Sequence, residues 1–229
     1  MASTFSKTGR NIICIGRNYI DHAKELGNKV PKEPFYFLKP TSSYLQHGQG
    51  KIEIPRGVVA HHEVELGVVI GKGGRDIPPS KAFDHVAGYT LAIDVTGRNM
   101  QDVVKGKGLP WAAAKGFDTF APVGRFIPKS SLPDPDNVGL TLSINGQTKQ
   151  SGVTGDMQFK IPQLIGHVSS IFGLNEGDLI MTGTPAGVGE MKPSDKITVR
   201  MTSPGLEGEV VDELEWDCVQ REGGYEFKG

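Results

Sequence analysis

Glycine and proline decide what this chain can fold into: 31 glycines and 15 prolines fall among its 229 residues, so apolar stretches are broken before they run long. Glycine loses the most backbone freedom on entering a helix, and proline lacks the N–H and clashes with the preceding turn. The backbone must therefore turn often. The two residues make up roughly a fifth of the chain, below the roughly 25–30% of low-complexity sequence, and they follow no repeat. The chain reads as a folded, turn-rich protein built from short strands.

The apolar runs agree. Residues 11–16 (NIICIG), 35–40 (FYFLKP), 51–55 (KIEIP), 58–71 (VVAHHEVELGVVIG), 89–96 (YTLAIDVT), 178–183 (DLIMTG), 196–201 (KITVRM) and 210–216 (VVDELEW) are short and rich in β-branched residues, as strands are. Asn145-Gly146, set between two alternating runs, predicts a two-residue hairpin. Helical spacing is confined to residues 19–26, 80–87, 98–105 and 161–172, the last opened by Pro162 and stopped by Gly173. The expectation is one β-rich α+β domain over residues 11–229, preceded by a tail of residues 1–10.

Charge and apolar length narrow the partners. Lysine and arginine total 25 against 26 acidic residues, with no basic cluster to track phosphates, so nucleic acid is not an expected partner. No apolar run reaches the roughly 18 residues of a membrane span, and the polar start does not read as a secretory signal. Cys14 and Cys218 lie far apart without a C-x-x-C spacing and read as free, buried thiols of a soluble intracellular protein. Residues 1–10 carry Ser, Thr, Lys and Arg but no acid, which is compatible with a mitochondrial as well as a cytoplasmic address.

The run at 58–71 carries the chemistry. His61, Glu63 and Glu65 alternate, so in a strand all three share one face. Val64, Leu66, Val68 and Val69 mark that strand as buried, and two carboxylates close together in a buried setting repel unless a cation lies between them. Asp94, ending the apolar run 91–93, supplies a third carboxylate. An oxygen-only set favours Mg²⁺ or Mn²⁺ over Zn²⁺. An E-x-E pair by itself is more often the solvated face of an edge strand. His61 is open to three readings, as ligand, as partner of a glutamate, or as a surface residue, and it stays outside the metal shell.

Six motifs occur in order: GRNYIDHAKEL (16–26), FLKPTSSY (37–44), HHEVELGVVIG (61–71), AIDVTGRNMQD (92–102), GLPWAAAKGFDTFAPVG (108–124) and EGDLIMTGTPAGVG (176–189). Together they resemble the fumarylacetoacetate hydrolase superfamily, nearest its acylpyruvase and oxaloacetate decarboxylase branch. The resemblance implies a mixed β-roll with short peripheral helices, a homodimer, and Mg²⁺ or Mn²⁺ held by Glu63, Glu65 and Asp94. It also implies a catalytic His22–Glu25 dyad on a lid helix, Lys115 as the active-site lysine, and Arg17, Tyr19, Gln101 and Thr184 on the substrate side. Lys39 and Asp178 fall in the same motifs but read as loop-positioning residues, and Arg98 with Asp102 as a surface pair. Gly183, Gly187 and Gly189 are expected to let backbone N–H groups approach a substrate carboxylate, with Gly16 and Gly27 as lid hinges.

The function implied is metal-dependent cleavage of 2-oxo acids: hydrolysis of acylpyruvates, decarboxylation of oxaloacetate, or both. Isomerisation, decarboxylation or fumarylpyruvate hydrolysis in aromatic degradation is the alternative on the same fold. A non-catalytic β-rich binding module is the distant one.

Overall fold

A computed structural model describes residues 4–25 and 31–229, with the backbone alone for residues 22–24. In chain order its elements are α1 (Phe5–Thr8), β1 (Ile12–Gly16), α2 (Ile20–Glu25), β2 (Phe35–Lys39), β3 (Tyr44–Gln46), β4 (Ile52–Ile54), β5 (Ala60–His62), β6 (Val64–Ile70), β7 (Val86–Ile93) and β8 (Thr96–Gly97). There follow α3 (Arg98–Gly106), α4 (Ala112–Lys115), β9 (Ala121–Val123), β10 (Ile127–Pro128), β11 (Gly139–Ile144), β12 (Gln147–Val153), α5 (Ile161–Ile171), β13 (Leu179–Met181), β14 (Gly189–Met191), β15 (Lys196–Ser203) and β16 (Glu209–Gln220).

The strands form three sheets. A mixed sheet runs β2-β1-β13-β6-β7-β9-β3 with β10 beside β7, a second runs β12-β11-β15-β16-β4, and a small third runs β14-β5-β8. This is the β-rich α+β class the glycine and proline distribution predicts. β6 lies inside the first sheet between β13 and β7, and all seven of its residues are buried, which is why its sequence is nearly continuous in apolar residues. Asn145 and Gly146 both take positive φ, 51° and 81°, the primed turn that matches strand twist between β11 and β12.

Two local readings change. Residues 58–71 are not one strand: β5 pairs with β14 and β8 in the small sheet, β6 pairs with β13 and β7 in the large one, and Glu63 is the corner between them. The 80–87 helix is a 3₁₀ stretch over Pro79–His85, entered through Pro78 in extended conformation. At the N-terminus, Phe5 of α1 is buried and meets the Tyr44 ring edge-on at 6.0 Å. Cys14 and Cys218 are free and buried. Among the described residues no helix is long and apolar enough to cross a membrane.

Candidate metal centre

The corner at Glu63 brings the carboxylates together. Val64 stands opposite Ile93 and Glu65 opposite Ala92, and the Asp94 N–H donates to the Glu63 carbonyl at 2.8 Å, so Asp94 leaves β7 beside the point where Glu63 leaves β6. One oxygen from each of Glu63, Glu65 and Asp94 lies within 4.8 Å of the others, and all three residues are buried.

Three cations close around them. Lys115, at the end of α4, donates to Asp94 Oδ2 at 2.5 Å, Thr96 Oγ1 at 2.6 Å and Glu63 Oε2 at 3.0 Å. Lys39, at the end of β2, donates to Asp94 Oδ1 at 2.5 Å and the Val95 carbonyl at 2.8 Å. Arg98, opening α3, pairs with Glu63 Oε1 and donates to Gln101 Oε1 and, at 3.2 Å, to His61 Nδ1. Burial by itself would lower the Lys115 pKa, but the charges of Asp94 and Glu63 outweigh it and hold the ammonium above its ordinary value.

Glu65 is the exception. Its Oε2 accepts the Gly183 N–H at 2.6 Å, and among the described residues it makes no ion pair. Burial, and then the neighbouring charges of Asp94 and Glu63, push its carboxyl well above the usual range. A buried carboxylate with one N–H donor and two like charges beside it fits a cation, and three converging carboxylate oxygens are the donor set a hard divalent ion takes.

The cleft over these carboxylates has a volume of about 100 Å³ and is lined by Ile15, Gly16, Arg17, Phe37, Arg98, Gln101, Asp102, Lys105, Trp111, Lys115 and Thr184. Arg17 sits at its edge in the left-handed conformation, φ 59°, with its guanidinium carbon 5.5 Å from the Phe35 ring centre. Gln101 is buried in the wall and held by Arg98. Thr184 lines the cleft, but its hydroxyl is taken: it donates to the Val64 carbonyl and accepts from Gln150 Nε2, both at 2.8 Å. His61 is half-buried beside Arg98, outside the carboxylate cluster. Burial and then the Arg98 charge lower its pKa to about 4, so the neutral ring can accept the Arg98 N–H.

Some expected residues stand elsewhere. Tyr19 bridges Met157 and turns its ring into the hydrophobic core, so it lines a separate cavity with Met157, Gln158 and Pro185 rather than the metal cleft. Glu25 accepts the Gly187 N–H at 3.1 and 3.2 Å from its two oxygens. Hence the N–H groups of Gly183 and Gly187, read from sequence as facing a substrate, are engaged by the protein's own Glu65 and Glu25. The His22 side chain and Gly27 lie outside the described residues. Asp178, as expected for a turn, accepts the N–H groups of Arg10, Asn11 and Asn175.

Lys39, read from sequence as positioning a loop, is a buried partner of Asp94, and Arg98, read as a surface pair with Asp102, is a largely buried partner of Glu63. Position along the chain, Lys39 closing an apolar strand and Arg98 four residues after Asp94, does not state which carboxylate the side chain will meet.

Residues 11–211 match the family described as Fumarylacetoacetate (FAA) hydrolase C-terminal. The chain is 53% identical over 218 residues to a mitochondrial oxaloacetate decarboxylase of Dictyostelium discoideum, covering 95% of this chain and 97% of that one. It is 51% identical over 222 residues to a mitochondrial oxaloacetate tautomerase of Arabidopsis thaliana, covering 96% of each. Among solved structures it is similar to a yeast fumarylacetoacetate hydrolase family protein, with TM-score 0.88, 37% identity and coverage of 99% and 100%. It is also similar to a fumarylpyruvate hydrolase of Pseudomonas aeruginosa in complex with Mn²⁺ and pyruvate, with TM-score 0.83, 33% identity and coverage of 93% and 91%.

Proposed function

The chain belongs to the fumarylacetoacetate hydrolase family of enzymes, and on that premise we propose that it acts on small 2-oxo acids, oxaloacetate first, through the enolate of the 2-oxo group. The observation that carries the reading is the charge arrangement. Counted as ionised, Glu63, Glu65 and Asp94 are equalled in number by Lys39, Lys115 and Arg98, yet all the contacts go to Glu63 and Asp94, and among the described residues Glu65 makes no ion pair. Arg17 and Lys105 against Asp102 make the rest of the cleft lining positive, so a divalent ion added there leaves a positive surplus that draws a dianion such as oxaloacetate.

Glu63, Glu65 and Asp94 would hold the ion, proposed to be Mg²⁺ or Mn²⁺ from its oxygen donors and from the Mn²⁺ in the Pseudomonas aeruginosa relative. When bound, it supplies a chelation point for adjacent keto and carboxylate oxygens and draws electron density from the bond that breaks. Lys115 has all three ammonium protons engaged, so its part is to orient Glu63 and Asp94 and keep positive charge beside the developing enolate. Arg98 holds Gln101 against the cleft wall, and Arg17 at the rim faces the far carboxylate.

In decarboxylation the C3–C4 bond breaks, CO₂ leaves, and the electron pair enters the 2-oxo group as pyruvate enolate, which takes a proton at C3. Tautomerisation needs only removal of a C3 proton and its return to oxygen. Hydrolysis of an acylpyruvate adds one requirement, a water deprotonated for attack on the distal carbonyl. His22 is assigned that proton, with Glu25 one turn away on α2 as its orienting carboxylate. A carboxylate offers about four lone-pair sites, so Glu25 can keep Gly187 and still receive an imidazole N–H. Hydrolysis is the second reading, favoured by the likeness to the fumarylpyruvate hydrolase. A homodimer, and the mitochondrial address named for the Dictyostelium and Arabidopsis relatives, complete the proposal.

The test is pyruvate release from oxaloacetate, acetylpyruvate and fumarylpyruvate, with the oxaloacetate enol followed by its ultraviolet absorbance, before and after chelation. Turnover that needs Mg²⁺ or Mn²⁺ is expected. Undiminished turnover in chelated protein would overturn the proposal.

A further inference from the structure

Strand β12 is exposed along most of its length, yet its Gln150 is only 1% exposed. A bulge stands beside it: Leu142 pairs with Gln150 and Ser143 with Thr148, so Lys149 is an extra residue and the strand bends there. Two glycines seat the 182–187 loop against this bend. A Cβ on Gly152 would lie 2.5 Å from Pro185 Cβ, and one on Gly187, whose φ is 96°, would lie 2.2 Å from the Lys149 carbonyl oxygen. Through Gln150 the second sheet then reaches the metal corner of the first.

Every hydrogen-bonding position of the Gln150 amide is used. Its Oε1 accepts the Val64 N–H at 3.1 Å and meets His62 Nδ1 at 2.8 Å, while Nε2 donates to Thr184 Oγ1 at 2.8 Å and to the Pro185 carbonyl at 2.9 Å. The Val64 N–H can only donate and the Pro185 carbonyl can only accept, so the two ends of the amide are not exchangeable and His62 is the donor at Nδ1. Thr184 passes the link on to the Val64 carbonyl at 2.8 Å. Side chains thus hold both backbone groups of Val64 on the edge where β13 no longer runs, since that strand ends at Met181 opposite Gly67. Val64 stands between Glu63 and Glu65, so the two peptide bonds being held are those that join it to the two glutamates.

We propose that Gln150 is a positioning residue for the metal centre: with Thr184 it fixes the backbone from Glu63 to Glu65 so that the two carboxylates converge on one ion. The inference rests on the divalent-ion reading above. A strand's period of two aims both glutamates at one face, but Glu63 is the corner where the chain changes sheet, so the ladder alone does not fix its direction. The Asp94 N–H pins the corner from the β7 side through the Glu63 carbonyl, and Gln150 pins it from the other. Gln150 does not line the cleft, and it acts through the backbone. Without it the buried Val64 N–H loses its acceptor, and the corner relaxes to find another.

Gln150→Met keeps the side-chain length and removes its hydrogen bonds, Thr184→Val keeps the shape and removes the hydroxyl, and Thr184→Ser keeps the hydroxyl. Calorimetric affinity for Mn²⁺ is expected to fall on the order of tenfold in the first two and to stay near wild type in Thr184→Ser. Because both residues act through Val64, the double variant Gln150→Met/Thr184→Val should lose less than the product of the single losses. Ile197→Ala, a core change elsewhere in the second sheet, separates positioning from lost stability: its Tm should fall while its Mn²⁺ affinity does not. An affinity within about twofold of wild type in folded Gln150→Met, or an equal loss in Ile197→Ala at equal Tm, would overturn the positioning role. If Gln150→Met does not fold, Thr184→Val against Thr184→Ser decides by the same measure. Wild-type protein that binds no Mn²⁺ would overturn the divalent-ion reading and this inference with it, whereas wild type and variants that bind it equally well refute the inference alone.

Discussion

Replacing Lys39 by Met tests whether the buried cations hold the carboxylate cluster together. The Lys39 side chain is 0% exposed and its Asp94 partner 2%, and Nζ donates to Asp94 Oδ1 at 2.5 Å and to the Val95 carbonyl at 2.8 Å. Removing one partner of a buried pair costs about 3–5 kcal/mol, because the remaining charge is left without compensation. Asp94 keeps Lys115 on its other oxygen, which argues for the lower end, about 3 kcal/mol. For a chain of this size each kcal/mol moves Tm by about 2–4 °C, so a fall of about 6–12 °C is expected in thermal melts followed by circular dichroism. A double-mutant cycle with Asp94→Asn separates the pair from the loss of packing, and a coupling of at least about 1 kcal/mol is expected between residues in contact. Mg²⁺ adds a second arm. An ion at Asp94 replaces the missing positive charge, so the gap between variant and wild type should narrow as Mg²⁺ is raised. A Tm within about 2 °C of wild type, or a gap that widens with Mg²⁺, would refute the reasoning.

Three further outcomes follow from the same geometry. Asp94→Asn should abolish the calorimetric signal for Mn²⁺ as well as turnover, whereas loss of turnover with ion binding intact would remove Asp94 from the ligand set. His22→Ala should depress acylpyruvate hydrolysis by a factor of about 10²–10⁴ and oxaloacetate decarboxylation far less, since only hydrolysis needs an activated water, and equal losses would contradict that division. Burial raises the Cys14 thiol well above its ordinary range and pushes Cys218 up to about 12. Both folded pKa values exceed the unfolded one, so stability is full below the unfolded thiol pKa and falls as pH rises above it; for Cys218 that fall runs toward pH 12, approaching about 1.4 kcal/mol per pH unit. Denaturant titrations should lose part of that slope in Cys218→Ala, and Ellman's reagent should find neither thiol before unfolding.

Much of the fold was legible because its signals are local. The alternation of His61, Glu63 and Glu65, the Asn145-Gly146 turn and the Pro162-to-Gly173 helix each express a backbone period or a φ preference that needs no distant partner. What failed locally failed for tertiary reasons. Glu63 is a corner because the residues on its two sides pair with different sheets, and no property of 58–71 by itself says so. The 3₁₀ stretch at Pro79–His85 likewise has a plausible helical spacing and a different ending.

The candidate site divides in the same way. Residue order determined that the chain is β-rich, that Glu63 and Glu65 share a face, and that two carboxylates there ask for a cation, because these follow from a strand's period of two and from like-charge repulsion. Only the tertiary structure decided what surrounds them. Lys39 meets Asp94 across 55 positions of chain and Arg98 meets Glu63 across 35, while Gly183 spends its N–H on Glu65. A lysine on an exposed loop and a lysine sealed against an aspartate are the same letter; the difference is the strand end that folding brings opposite, and with it the dielectric and the charge balance.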